Sequence, residues 1–175
     1  MAKLSTAMSD LRDLEPLSSR INTASDELNS TLGLIQDKLQ AFNLGVEAWV
    51  TAFPPLDTRV LETVQEAYID RDTGVAVPGR RAVVDEELGY ARLGDSWGLV
   101  VRSIRYEQAR QVDTEWNYAD DPPQVREIRS LLRASRPIRV AAVARIAILI
   151  DVLKKNAEEV IDAVEHAKRI ADSLK

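Results

Sequence analysis

The side chains best suited to chemistry in this chain are arginines, and they are gathered in one stretch. Arg126, Arg129, Arg133, Arg136, Arg139 and Arg145 fall within 124–145, where Glu127 is the lone acid. A guanidinium is planar and donates through two parallel N–H groups, so such a cluster suits carboxylate or phosphate. Arg126, Arg129 and Arg133 recur at helical spacing and share one face of a helix predicted over 123–134, opposite Val125, Ile128 and Leu132. Arg136 and Arg139 start the next predicted helix, whose free amides add to an anion site. Tyr90 and Trp97 offer ring faces for a base, with Arg92 and Arg102 to hold a phosphate. Together these residues, Arg145 apart, are the nine-residue candidate site for a small anionic, nucleotide-like ligand. Each group also has a structural role open to it. The arginines can pair with the acidic N-terminal helix or face solvent, and the aromatics can form the core of a small sheet.

Other chemistries are thinly represented. There is no cysteine, which removes thiolate nucleophiles, thiolate metal sites and disulfides together. The single histidine, His166, rules out two-histidine zinc sites and His-pair acid–base catalysis. Asp85-Glu86-Glu87, Asp70 with Asp72, and Asp120-Asp121 could hold Mg²⁺, but they adjoin predicted loops and read as solvated turn residues. No phosphate-cradling glycine loop or nucleophile elbow occurs. The expectation is a protein without catalytic residues, metal or cofactor, and not an enzyme. A net charge of −5 and pI near 5.0 weigh against nucleic acid as a partner.

Three segments must position these groups. Residues 1–45 read as a helical arm. Leu4, Leu11, Ser18, Ser25, Leu32, Leu39 and Val46 form one heptad position, and Ala7, Leu14, Ile21, Leu28, Ile35, Phe42 and Trp49 another. Pro16 disturbs the first turns, which places the firm helix at about 17–43. Residues 121–175 form a second arm. Ala142, Ile146, Leu149, Leu153, Asn156, Val160, Ala163, Ala167, Ile170 and Leu174 keep a 4,3 spacing, with Ser135 and Pro137 at the helix start. Between them, 46–120 reads as β. Its clearest piece is a hairpin, 87–93 with 96–106, turning at Gly94-Asp95. Strands are also predicted at 59–69 and 112–118, with a loop over 70–82.

These segments predict an α+β fold. It is a long antiparallel helical hairpin, coiled-coil-like, with a small antiparallel β-head inserted between helices roughly 40 and 55 Å long. In that register Leu149 and Leu153 face Leu32 and Ile35, and Ser25 lies near Asn156. The stretch Leu88-Gly89-Tyr90 through Trp97-Gly98-Leu99-Val100-Val101-Arg102, with Ala134-Ser135-Arg136-Pro137 entering a long helix, resembles small uncharacterised bacterial proteins. In those proteins such a hairpin is flanked by helices, and no activity accompanies the resemblance.

The function expected is a non-enzymatic interaction or regulatory protein that self-associates, as a homodimer, through its helices, with other proteins as further partners. The alternative is a binder of a small anionic ligand. The longest nearly apolar run, Val140–Ile150, is too short for a membrane span, and the N-terminus lacks a secretory signal, so the chain reads as cytoplasmic with no membrane partner.

Overall fold

The structure, a computed structural model, describes residues 2–51, 54–119 and 122–173, with side chains described from position 14 onward. The predicted acid pair Asp120-Asp121 and the last seam residue, Leu174, lie outside the described residues, as do the side chains of Leu4, Ala7 and Leu11. Helix α1 runs over Ala2–Phe42, continuing through Pro16, and ends at Asn43 and Gly45, both with positive φ. Asparagine and glycine tolerate that conformation, which is why the helix stops there.

A six-stranded antiparallel sheet is the centre of the molecule. Two long strands build it, β5 (Gly79–Leu93) and β6 (Ser96–Arg110), paired along their whole length. Gly94, at φ +64°, supplies the left-handed conformation that a two-residue hairpin turn requires. Short strands line each flank of this hairpin. β1 (Ala48–Trp49) and β2 (Asp57–Gln65) lie end to end along β5, while β7 (Asn117–Tyr118) and β8 (Gln124–Ser130) do the same along β6. A separate two-stranded ladder joins β3 (Tyr68–Ile69) to β4 (Ala76–Val77). After β8 come a 3₁₀ turn (Leu131–Arg133), helix α2 (Arg136–Val143) and helix α3 (Ile146–Ser173).

The helices cover the sheet. Leu88 pairs with Val101 and Tyr90 with Leu99, so all four project from one face. They share a core with Leu32 and Leu39 of α1, Leu131, Ile138 and Ala142, and Ile146, Leu149 and Leu153 of α3. Helix α1 also completes the hydrogen bonding of β6 beyond the end of β8. Gln36 Oε1 accepts from the Leu99 amide at 3.1 Å, and Gln40 Nε2 donates to the Trp97 carbonyl. Gly98 leaves the space for this, since a Cβ there would stand 2.9 Å from Gln36 Oε1.

The predicted fold class is therefore corrected. The described residues form three α-helices on a large sheet, not a coiled-coil helical hairpin with a small β-head. A heptad stripe says that one helix face is buried but not against what; here the stripes of α1 and α3 lie on the sheet. Nor do the helices run antiparallel. Arg136, at the start of α2, reaches Ser25 and Asn22, whereas Ile150, Leu153 and Ala157 of α3 lie beside Leu39 and Phe42. Contacts advance together, so α2 and α3 follow α1 in the same direction. Ser25 consequently meets Arg136, and Asn156 instead donates to the Glu47 carbonyl at 2.7 Å. The helix predicted over 123–134 is also corrected: its first part is strand β8. Its local periodicity is helical, but the outer edge of β6 needed a hydrogen-bonding partner, and sheet pairing prevailed. The predicted loop at 70–82 contains β4 and the start of β5.

Candidate functional site

The acids at 85–87 sit in the middle of β5, not in a loop, and the hairpin register gives each a partner. Glu86 lies opposite Ser103, fully buried, and is held from three sides. Arg59 Nη2 donates to it at 2.9 Å, Arg129 Nη2 at 3.0 Å, and Ser103 Oγ at 3.1 Å. Arg129 Nη1 also donates to Ser103 Oγ at 2.9 Å. One strand position away the side chain points to the opposite face, and Asp85 accepts there from Thr58 Oγ1 at 2.6 Å and Tyr106 OH at 2.9 Å. Glu87 pairs with Arg102 at 2.7 Å, and the Arg102 guanidinium stacks 4.3 Å from the centre of the Trp49 ring. Trp49 in turn lies over Gly89, where a Cβ would come within 2.2 Å of the indole. The three acids are thus satisfied by groups of the chain itself, which makes them a structural network.

Burial pushes the Tyr106 phenol up, and the Asp85 carboxylate that accepts its proton raises it further. The folded state therefore keeps this proton where the unfolded phenol, with its pKa near 10, begins to lose it. Stability from this group is full below about pH 10 and falls as pH rises beyond, by at most ~1.4 kcal/mol per pH unit. Tyr106→Phe removes that component of the alkaline slope and, because Asp85 loses a donor, costs about 1–3 kcal/mol at neutral pH. Urea unfolding at neutral and alkaline pH checks both; equal slopes for the two proteins would contradict the assignment.

The structure does not bring the nine predicted ligand residues together. Arg129 is in the network just described. Arg126 is the extra residue of a bulge in β8 and lines, with Arg105, Gln124 and Glu107, a polar cleft of about 390 Å³. Arg133, in the 3₁₀ turn, borders a second cleft beside Trp97. Arg136 bonds to Ser25 Oγ at 3.1 Å and Asn22 Oδ1 at 3.2 Å, and Arg139 donates to the Ala134 carbonyl. Tyr90 is buried and stacks on Trp97, with ring centres 5.7 Å apart. Arg92 turns to Gly94 and Asp95 at the hairpin tip, while Arg102 lies on the opposite face of the sheet from Tyr90. Asp70, of the other described acid pair, accepts from the Thr73 backbone and hydroxyl and from the Asp72 backbone. Those bonds hold its carboxyl below the usual range in an exposed turn. Among the described residues, no group of three His, Cys, Asp or Glu could hold a metal ion.

What the fold leaves open is apolar. Helix α1 meets the core only from Ser25 onward, and its earlier turns expose Leu14, Leu17 and Ile21. Helix α3 leaves the core after Leu153 and exposes Val160, Ile161, Val164 and Ile170. Between the end of α1 and α3 runs a groove of about 270 Å³ whose lining is carbon-rich: Leu39, Phe42, Leu44, Ile150, Ala157 and Ile161. Leu14, Ile21, Val160 and Ile170 continue the heptads, with Leu17, Ile161 and Val164 flanking them, so the same spacing that buries one half of each helix exposes apolar residues on the other. No helix among the described residues is long and apolar enough to cross a membrane. No protein-family model matches the chain, and neither a curated protein nor a solved structure shows significant similarity to it.

Proposed function

We propose that this is a non-enzymatic interaction protein that self-associates through the free ends of α1 and α3, with the homodimer as the first species formed. One observation carries the reading: both helices keep their apolar stripe after leaving the sheet. Exposed apolar strips of this extent mark contact surfaces. The engagement of Asp85, Glu86 and Glu87 by Arg59, Arg129, Arg102, Thr58 and Tyr106 supports a structural rather than a catalytic role for the polar centre. Replacing Leu17, Ile21, Ile161 and Val164 together by Glu should abolish association. At high dilution it should leave the melting temperature unmoved, because these side chains lie outside the core. A variant that associates as the wild type does would place the contact elsewhere and overturn the reading.

A second reading, an anionic-ligand binder, is favoured by the cleft of Arg105 and Arg126, since Arg126 forms no ion pair among the described residues. A phosphate-bearing ligand bound there raises the melting temperature by mass action. That rise must vanish in Arg126→Ala, and a rise that persists would exclude this cleft.

A further inference from the structure

The two free helix ends point opposite ways. Helices α2 and α3 follow α1 in its own direction, so the free end of α1 (2–24) leaves the body at one pole. The free end of α3 (157–173) leaves it at the other. At ~1.5 Å per residue they are roughly 34 and 25 Å long, so one can lie along most of the other. Resting on the self-association proposed above, we infer that copies join head to tail: the α3 end of one copy packs alongside the α1 end of the next.

Three observations select a second copy, in that orientation, as the occupant. First, the contact continues one the chain already makes. Within a protomer α3 runs beside α1 in the same sense, forming the apolar groove at Leu39, Phe42 and Ile161. The α1 end of another copy, running the same way and carrying an apolar stripe, extends that pairing past Ile161. Second, both ends carry apolar side chains for such a contact: Leu17, Ile21 and Ala24 line an open hollow on α1, and Ile161, Val164 and Ile170 stand out from α3. Third, charge disfavours pairing two α3 ends. Residues 157–173 carry five acids, Glu158, Glu159, Asp162, Glu165 and Asp172, against Lys168 and Arg169. Residues 2–24 balance three acids with three bases. Pairing two α3 ends sets like charge against like charge, whereas α3 against α1 does not. A head-to-tail contact uses different surfaces on each copy, so it repeats into a ring or an open filament and does not stop at two.

Complementation tests this. One variant carries Leu17→Glu and Ile21→Glu, the other Ile161→Glu and Val164→Glu, with Gln replacements as uncharged counterparts. Circular dichroism confirms that each folds. Each variant alone should show the 19.5 kDa mass of one chain. Mixed in equal amounts they should form a species of twice that mass and nothing larger, while the wild type grows beyond two chains with concentration. A single variant that still dimerises, a mixture that restores nothing, or a wild type that stops at two chains would overturn head-to-tail joining and leave self-association standing. A wild type that stays at one chain mass would instead overturn self-association itself.

Discussion

Leu149→Ala is expected to destabilise the protein by about 2–5 kcal/mol, the range for a fully buried leucine truncated in a packed core. Leu149 has no exposed surface, and it belongs to the core that also holds Leu32 of α1, Leu88 and Leu99 of the sheet and Ala142 of α2. The cost has two parts, the lost transfer of the side chain from water and the cavity that neighbours on a rigid sheet cannot fill. Ile161→Ala, on the same helix but in its free end, should cost less than about 0.5 kcal/mol in the dissociated chain. Urea unfolding at low concentration measures both. Similar values would mean that α3 does not divide at Leu153 into a packed and a free half.

The second large effect belongs to the buried carboxylate. Arg129→Ala should cost about 3 kcal/mol, because Glu86 is left in the interior with one charged partner fewer. Arg129 is only 24% exposed, and its guanidinium bridges both Glu86 and Ser103, so water is poorly placed to substitute. Arg59, the other partner, is 57% exposed, and Arg59→Ala should cost no more than about 1 kcal/mol. Replacing Glu86 and Arg129 together by Leu should recover most of the loss, since the unpaired buried charge is then gone. An Arg129→Ala protein as stable as the wild type would show that Glu86 is not held as described.

Both effects bear on what could be read in advance. The turn at Gly94-Asp95 is legible because glycine satisfies its positive φ. Carrying its register outward places Glu87 opposite Arg102 and Glu86 opposite Ser103. The hairpin half of the network was therefore present in the sequence, while Arg59 and Arg129 come from β2 and β8. Three consecutive acids read as a solvated turn only when the hairpin is ended at Glu87, although Val83-Val84 before them continue the strand. The heptads of α1 and α3 were equally plain, but periodicity identifies an apolar face without identifying its partner. The sheet, not the opposing helix, took up that face. Arg126, Arg129 and Arg133 show the reverse limit. Their helical spacing is real in sequence, and the hydrogen-bonding demand of the β6 edge, which no local pattern records, made a strand of it. The direction of α2 and α3 depends on where β8 delivers the chain, beside the middle of α1, and no residue spacing encodes that.

Self-association through the free helix ends is the claim on which the functional account rests, and the molar mass of the wild-type chain in solution tests it most directly. Light scattering across the micromolar range should give a mass that starts at 19.5 kDa in dilute solution and rises through the dimer as concentration increases. A mass of 19.5 kDa at every concentration would contradict the account.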